Sequence, residues 1–355
     1  MHRRRFLGLL AGAGAMALTP VRNAFAAPDL PAPGLAKGMV TFTFDDGIAS
    51  VYQYALPVLR GRNQVATAGL IASRLIATGN DDYMSVDQAK ELAKAGWEIA
   101  SHSLTHTRPI SIPKYYSQEP VSGWSVDAHN PKTYQTQYDY DIIAGIYQDG
   151  KQLAEVEKLE HLNLTPGTYY YDRAIAELHV HPWRGGPPED LDIRAGSYQR
   201  ELEQSHQILS DQGFKISTYV APYNYWPDDM KETSRYYYSQ ACTGKDSDNR
   251  VASFDPYAIR RFMVHEKDSP TALIRLLQEN ALTHGGWVIF CFHGVGDSIG
   301  WEPYSVEKLD ALSAWVAQQG IPMVTVEQGA RIMREAAKTP ARVSKNVVPA
   351  MKKRS

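Results

Sequence analysis

Short apolar runs alternate with amphipathic stretches along most of this chain, and this alternation restricts its fold more than any other feature. Strand-like runs cover residues 39–44, 65–71, 97–100, 214–220, 236–242, 257–264, 287–292 and 321–326. Helix-like stretches cover residues 48–60, 85–94, 198–210, 270–282, 306–318 and 327–336. Such alternation is typical of parallel strands flanked by helices. We therefore expect an α/β fold, either a (β/α) barrel or a close relative of one.

Residues 107–194 interrupt this alternation and form a predicted insertion. The segment contains nine of the 21 tyrosines together with Trp124 and Trp183, and its one helix-like piece covers residues 142–159. Long irregular segments inside a domain are usually functional or form a subdomain. Because aromatic faces can stack on sugar rings, we interpret the insertion as a carbohydrate-binding lid. Alternatively, the tyrosines pack a small accessory core or an oligomer contact.

Residues 1–27 have the features of a secretory signal. Arg3-Arg4-Arg5-Phe6-Leu7 precedes a weakly apolar stretch at residues 8–18, and Ala24-Phe25-Ala26 has the small-x-small form of a cleavage site. The paired arginines favour the twin-arginine type, with the Sec route as the alternative. The apolar stretch is too short for a permanent membrane span, although an uncleaved helix is a further alternative. We expect an exported protein, periplasmic or secreted.

The remaining composition indicates an ordinary globular chain. Its formal net charge is −2 and becomes more negative once the arginines of the signal are removed, so nothing indicates nucleic acid as a partner. The catalytic domain is predicted at residues 36–336, followed by a basic, disordered tail at 337–355. Cys242 and Cys291 could pair in an oxidising compartment, but Cys291 lies in an apolar run, which favours a buried free thiol. The sequence does not predict the oligomeric state.

Two motifs at the ends of strand-like runs indicate a metal site. Residues 43–47 read Thr-Phe-Asp-Asp-Gly, and residues 101–106 read Ser-His-Ser-Leu-Thr-His. One carboxylate and two imidazoles form a three-ligand site with positions left open for water or substrate, which is typical of a catalytic ion. His102 and His106 are about one helical turn apart, so both rings can reach one ion. Asp46 is the predicted carboxylate ligand, and Asp45 then remains ionised as a general base.

Two more strand-like runs end in groups that can take part in catalysis. Ala221-Pro222-Tyr223 follows one run, and His293 closes the run at residues 287–292. Catalytic residues of barrel folds lie at the C-terminal ends of the strands. His293 could pack in the core, but its position before Gly294 favours protonation of a leaving group.

Together these motifs resemble those of the polysaccharide deacetylases with a NodB-like domain, carbohydrate esterase family 4. Residues 43–47 are similar to the family's first motif and residues 102–106 to its second. The resemblance covers residues 39–106 and 198–328 and implies a distorted or incomplete (β/α) barrel. It implies that Asp45 is the catalytic base. The metal, usually zinc or another divalent ion, would be bound by Asp46, His102 and His106.

The resemblance extends to the later motifs. His293 looks like the family's catalytic acid, with Phe292 in the place of an apolar residue that lines the acetyl pocket. Ala221-Pro222-Tyr223 is similar to the third motif, in which the N–H at the Tyr223 position helps to hold the oxyanion.

One departure from the family pattern concerns the base. Many relatives carry an arginine two residues before Pro222, paired with the catalytic aspartate, whereas this chain has Val220 at that position. We expect Arg260 or Arg261 to supply the cation from another strand. No counterpart of the family's Asp-Trp motif is evident.

The predicted function is metal-dependent hydrolysis of N-acetyl or O-acetyl groups on an extracytoplasmic polysaccharide, with an acetylated glycan as substrate. Two alternatives stay open. One is hydrolysis of another non-peptide amide, and the other is a non-catalytic sugar-binding protein with a degenerate site.

Overall fold

The structure is a computed structural model that describes residues 38–106, 119–138, 143–186, 188–226 and 228–338. The predicted signal at residues 1–27 and residues 339–355 of the predicted tail lie outside these ranges. In the described part of the chain, no helix has both the length and the apolar character needed to cross a membrane.

The secondary structure follows the predicted alternation on both sides of the insertion. The strands are β1 (Met39–Phe44), β2 (Thr67–Leu70), β3 (Glu98–Ser101), β4 (Glu119–Pro120), β5 (Ser125–Asp127), β6 (Asn130–Gln137), β7 (Ile143–Gln148), β8 (Lys151–Gln152), β9 (Ala154–Glu155), β10 (Thr168–Asp172), β11 (Glu177–His181), β12 (Ile193–Ser197), β13 (Thr218–Val220), β14 (Gln240–Cys242), β15 (Phe262–Met263) and β16 (Trp287–Phe292). The helices are α1 (Leu56–Arg60), α2 (Ala72–Leu75), α3 (Val86–Lys94), α4 (Leu159–Leu164), α5 (Tyr198–Asp211), α6 (Asp228–Ser234), α7 (Pro270–Leu276), α8 (Val306–Gln319) and α9 (Val326–Lys338). Wider π-helical turns precede α1 (Val51–Ala55) and follow α7 (Leu277–Thr283).

Seven parallel strands form one curled sheet in the order β14-β13-β3-β2-β1-β16-β15. The segment before β15 joins the two edges of the sheet, because Ile259 N–H donates to Ala241 O (3.1 Å) and Thr243 N–H donates to Ile259 O (2.9 Å). The sheet is therefore a distorted (β/α) barrel, as the alternation and the resemblance predicted. The segment crosses from β14 to β16, so only Phe262–Met263 of the predicted strand 257–264 is regular.

Side chains of the central strands alternate between two apolar layers. Met39, Trp287 and Ile289 pack inside the barrel, whereas Phe42 and Phe290 pack between the sheet and the helices. Successive side chains of a strand point to opposite faces, so every second residue continues the inward row. This alternation, called parity below, determines which residues reach the site at the carboxyl end of the barrel.

Other predicted strands are also shorter or absent, and of residues 214–220 only Thr218–Val220 is a strand. Of residues 236–242, only Gln240–Cys242 is a strand, because the N–H groups of Tyr237 and Tyr238 turn back to Ser234 O. Residues 321–326 do not form a strand. They make a single β-bridge, between Met323 and Val40, beside the first part of β1, which does not pair with β2.

The insertion is regular over its described residues, contrary to the prediction of little structure. It forms a five-stranded sheet (β5-β6-β11-β10-β9) and a four-stranded sheet (β4-β12-β7-β8). The predicted helix at residues 142–159 is wrong: this stretch contains β7, β8 and β9, because β7 pairs with the distant β12. Among the described residues of the insertion five tyrosines are buried, as the accessory-core interpretation expected: Tyr134, Tyr138, Tyr147, Tyr169 and Tyr171. Their rings are not available to stack on a sugar.

Candidate active site

Asp45 and Asp46 follow β1 and reach the same cavity by different routes. Asp45 continues the inward row of β1 and is 3% exposed. Asp46 adopts a left-handed backbone conformation (φ 73°), followed by Gly47 (φ 73°), and this turn redirects its carboxylate toward the barrel axis. A non-glycine residue in this conformation costs free energy, so the surrounding structure must hold it in place.

His102 and His106 are brought together by a bent loop after β3. The sequence predicted one helical turn, but Ser103 (φ 68°) and His106 (φ 60°) are left-handed, and the segment is not helical. The His106 N–H donates to Ser103 Oγ (2.8 Å), and the two imidazole ring centres lie 4.9 Å apart. The loop therefore brings the two imidazoles together, as a helical turn was expected to do.

Asp46, His102 and His106 converge on one point. Both histidine Nε2 atoms lie 3.2 Å from the Oδ1 atom of Asp46. This oxygen is buried, and the described residues offer it no other partner. His102 Nδ1 lies 2.8 Å from the carbonyl oxygen of Val220, which orients the ring so that Nε2 faces Asp46. Two imidazoles and one carboxylate, with the second ring nitrogen of one imidazole already bonded, fit a zinc-type catalytic site.

Arg261, rather than Arg260, lies beside the predicted base. Arg261 Nη1 donates to both carboxylate oxygens of Asp45 (2.8 and 2.9 Å) and also to Thr43 Oγ1 (3.2 Å). Arg261 is 1% exposed, whereas Arg260 faces solvent. The Cys291 thiol adds a weak donor, with its sulfur 3.4 Å from Asp45 Oδ2. Cys291 and Cys242 are both buried free thiols.

These charges set the protonation of the site. Burial opposes ionisation of Asp45, but the charges of Arg261, His102 and His293 outweigh it and hold the pKa of Asp45 below its ordinary value. Burial likewise opposes ionisation of Asp46, and hydrogen bonds from the two histidines hold its pKa far below normal. Burial lowers the pKa of His293, and the neighbouring aspartates offset this only in part. Asp45 is therefore ionised and able to accept a proton.

The turn after β13 contains Pro222 and Tyr223. Tyr223 (φ 55°) and Asn224 (φ 54°) are both left-handed, so the backbone turns sharply beside the cavity. The Tyr223 ring lies 4.6 Å from the His106 ring and is about half exposed. The Asn224 side chain accepts from Arg261 Nη2 (2.9 Å), which ties this turn to the Arg261–Asp45 pair.

His293 continues the inward row of β16 and lies beside Asp45, with a ring nitrogen within 4.8 Å of the Asp45 carboxylate. Its Nδ1 atom is buried and has no hydrogen-bond partner among the described residues. Trp301 contacts it edge to face, with ring centres 5.1 Å apart, and is partly exposed at the mouth. Phe292, by the parity of the strand, points outward and packs against Phe44 and Tyr304. It is therefore not in the place expected for a residue that lines the acetyl pocket.

The site encloses a cavity of about 540 Å³, lined by Asp45, Asp46, His102, His106, Ala221, Tyr223, Asn224, Arg261, Met263, His293 and Trp301. Sequence reasoning missed Asn224, Met263 and Trp301. Asn224 directly follows the Pro222-Tyr223 motif, and Met263 lies two residues after Arg261, so neighbouring residues offered a signal for both. Trp301 lies eight residues after His293 in a loop, where no local pattern marked it.

Comparison with known proteins gives a family match for part of the chain. Residues 33–152 match the family model described as polysaccharide deacetylase. The putative polysaccharide deacetylase YxkH of Bacillus subtilis (strain 168) is 37% identical over 67 residues, which is 19% of this chain and 23% of that relative. The matched stretch thus spans about a quarter of the relative's length.

Solved structures that are similar to this chain have low sequence identity and TM-scores below 0.5. The Xyl-CE4 domain of a multidomain xylanase from the hindgut metagenome of Trinervitermes trinervoides is 13% identical, with a TM-score of 0.44, over 86% of this chain and 93% of that one. The family 4 carbohydrate esterase from Streptomyces lividans is 12% identical, with a TM-score of 0.41, over 82% of this chain and 96% of that one.

Proposed function

We propose that this chain, whose residues 33–152 match the polysaccharide deacetylase family model, is a metal-dependent hydrolase that removes acetyl groups from an extracytoplasmic polysaccharide. One observation carries the proposal: Asp46, His102 and His106 converge on one point beside an ionised Asp45. A site that only bound sugar would have no use for a carboxylate buried against an arginine in this position.

Each residue of the site has a separate role in acetyl hydrolysis. Asp46, His102 and His106 would hold Zn²⁺, which when bound polarises a carbonyl oxygen and lowers the pKa of water. Asp45 accepts the proton of the attacking water, and Arg261 keeps its carboxylate ionised and oriented. The Tyr223 N–H donates to the oxygen that becomes negatively charged.

His293 lies beside Asp45 in the cavity and donates a proton to the departing amine or alcohol. Its lowered pKa makes the protonated ring a stronger acid. Trp301 covers one edge of this ring and limits the access of water to it.

We place the protein outside the cytoplasm, periplasmic or secreted, because residues 1–27 have the composition of a twin-arginine export signal. This location gives the enzyme access to cell-wall and extracellular glycans, and it disfavours a cytosolic cyclic amide as the substrate.

The test is acetate release from N-acetylglucosamine oligomers and from acetylated xylan, with zinc and with a chelator. We expect release with zinc, loss of release with the chelator, and a decrease in kcat of about 10² to 10⁴-fold in Asp45→Asn. Asp81→Asn, the same substitution at an exposed position, is the matched control. No release from any acetylated glycan at saturating zinc, with release of ammonia or an amine from another amide, would replace this proposal with the amidase alternative.

A further inference from the structure

We propose that Glu201 is a positioning residue for the metal ligands, which holds the backbone between His102 and His106 from outside the site. This inference rests on the proposed metal-dependent function, since it assigns how that same site is kept in its binding geometry.

Glu201 lies in the first turn of α5 and is 5% exposed. Its Oε2 atom accepts hydrogen bonds from the N–H groups of Leu104 and Thr105, both at 3.0 Å. Its Oε1 atom accepts from the Thr105 hydroxyl at 2.8 Å. One carboxylate therefore holds two consecutive backbone groups and a side chain in the middle of the loop that carries both imidazoles.

The opposite edge of the same loop is held by α2. The Ala72 N–H donates to Ser103 O (3.1 Å), and the Ser73 N–H donates to Leu104 O (2.9 Å). The loop thus has its carbonyl groups fixed on one side and its N–H groups fixed by Glu201 on the other. Buried backbone groups need such partners, and only the Glu201 side of this clamp is a single removable side chain.

The loop needs to be held because its conformation is unfavourable. Ser103 and His106 are both left-handed, and residues in this region persist only where the surroundings impose them. His106 is itself one of the two ligands, so relaxation of its backbone would move its Nε2 atom away from Asp46. His102 is fixed independently by its bond to Val220 O, so the effect should fall on His106.

Helix α5 also fixes the start of the loop. Ser205, one turn after Glu201, accepts from Ser101 Oγ (2.9 Å), the residue directly before His102. Because α5 follows β12 without a break, the insertion leaves the barrel after His106 and re-enters it at the helix that holds His106 in place. The insertion is therefore joined to the metal site at both of its ends.

The experiment measures Zn²⁺ affinity directly, by competition with a chromophoric chelator, on the full chain after removal of metal. Glu201→Ala removes all three hydrogen bonds, and Glu201→Asp keeps the charge but withdraws both oxygens from the loop. Outer partners of metal ligands typically contribute 10 to 100-fold to affinity, so we expect Glu201→Ala to bind Zn²⁺ about tenfold more weakly. Glu203→Ala and Glu203→Asp, two residues along the same helix, are the matched controls and should bind like the wild type.

The thermal midpoint of the metal-free protein separates positioning from a general effect on folding. A merely structural role would lower that midpoint in Glu201→Ala without weakening Zn²⁺ binding in the folded fraction. Zn²⁺ affinity within about twofold of the wild type in a folded Glu201→Ala would overturn the inference. If Glu201→Ala does not fold, the same result in Glu201→Asp would overturn it. A wild type that binds no Zn²⁺ would instead refute the metal-dependent function itself.

Discussion

Glu98 is a buried carboxyl group at the opposite end of the barrel from Asp45, and its protonation should make the stability of the protein depend on pH. Its Oε2 atom accepts from Thr67 Oγ1 (3.0 Å) and from the Glu327 N–H (2.8 Å) at the start of α9. Its Oε1 atom accepts from the Thr218 hydroxyl. Burial disfavours the carboxylate more than these hydrogen bonds favour it, and it raises the pKa of Glu98 from 4.5 to about 7.

The size and sign of the effect follow from this shift. In the unfolded chain the carboxyl has its ordinary pKa, so between pH 4.5 and 7 the folded state binds the proton more tightly. The stabilisation is fully present below pH 4.5 and is lost as pH rises through 7. A shift from 4.5 to about 7, at 1.36 kcal/mol per pH unit, corresponds to about 3 kcal/mol. This is a large part of the 5–15 kcal/mol that typically separates folded from unfolded domains.

The assay is urea unfolding of the wild type and of Glu98→Gln between pH 5 and 8.5, with chelator present so that metal binding does not contribute. The raised pKa of His102 also lowers stability with rising pH, but it is present in both proteins and cancels in the difference. We expect the free energy of unfolding of the wild type to fall relative to that of Glu98→Gln by about 2.5 kcal/mol across this range, since a part of the stabilisation is already lost at pH 5. Parallel curves for the two proteins would refute the argument.

Three further substitutions test the packing and the cavity. Arg261→Ala leaves the buried Asp45 carboxylate without its cation and should cost about 3–5 kcal/mol in urea unfolding, whereas Arg260→Ala, at an exposed position, should stay within about 0.5 kcal/mol of the wild type. Trp301→Ala removes an aromatic wall at the mouth of the cavity and should raise KM for glycan oligomers about fivefold to tenfold; an unchanged KM would contradict contact with the sugar. Leu312→Ala opens a space under α8 and should cost about 2–5 kcal/mol, and a loss below about 1 kcal/mol would indicate a loosely packed layer.

The barrel was predictable where both faces of a strand are buried. Residues 39–44 and 287–292 were located at the residues the structure shows, because continuous apolar runs bounded by glycine mark central parallel strands. Short strands at the edges of the sheets could not be located in this way, because their pairing depends on neighbouring strands and not on their own sequence pattern. Residues 142–159 were misinterpreted as a helix for this reason: the partner of Ile143–Gln148 is Ile193–Ser197, which no local periodicity reveals.

The site was more predictable than the insertion because its chemistry is concentrated at strand ends. Carboxylates and imidazoles at the ends of β1, β3 and β16 lie at one end of a parallel barrel wherever the strands pair in order. The outward orientation of Phe292 was also available from parity, since His293 must point inward to reach the cavity. The left-handed residues of the His102–His106 loop could not be anticipated, because serine does not signal that conformation and histidine, although enriched in it, adopts it in only a small fraction of cases.

The same parity explains why Arg261 and not Arg260 faces the base. Ile259 and Met263 face the barrel interior, so Arg261 between them does as well, and Arg260 faces solvent. A shift of one residue would exchange the two arginines. Asn249 fixes this register, since its side chain accepts from the Arg260 N–H (2.9 Å) and donates to Arg260 O (2.9 Å), as a neighbouring strand would. The irregular closure of the barrel is therefore what supplies the cation that the segment before Pro222 lacks.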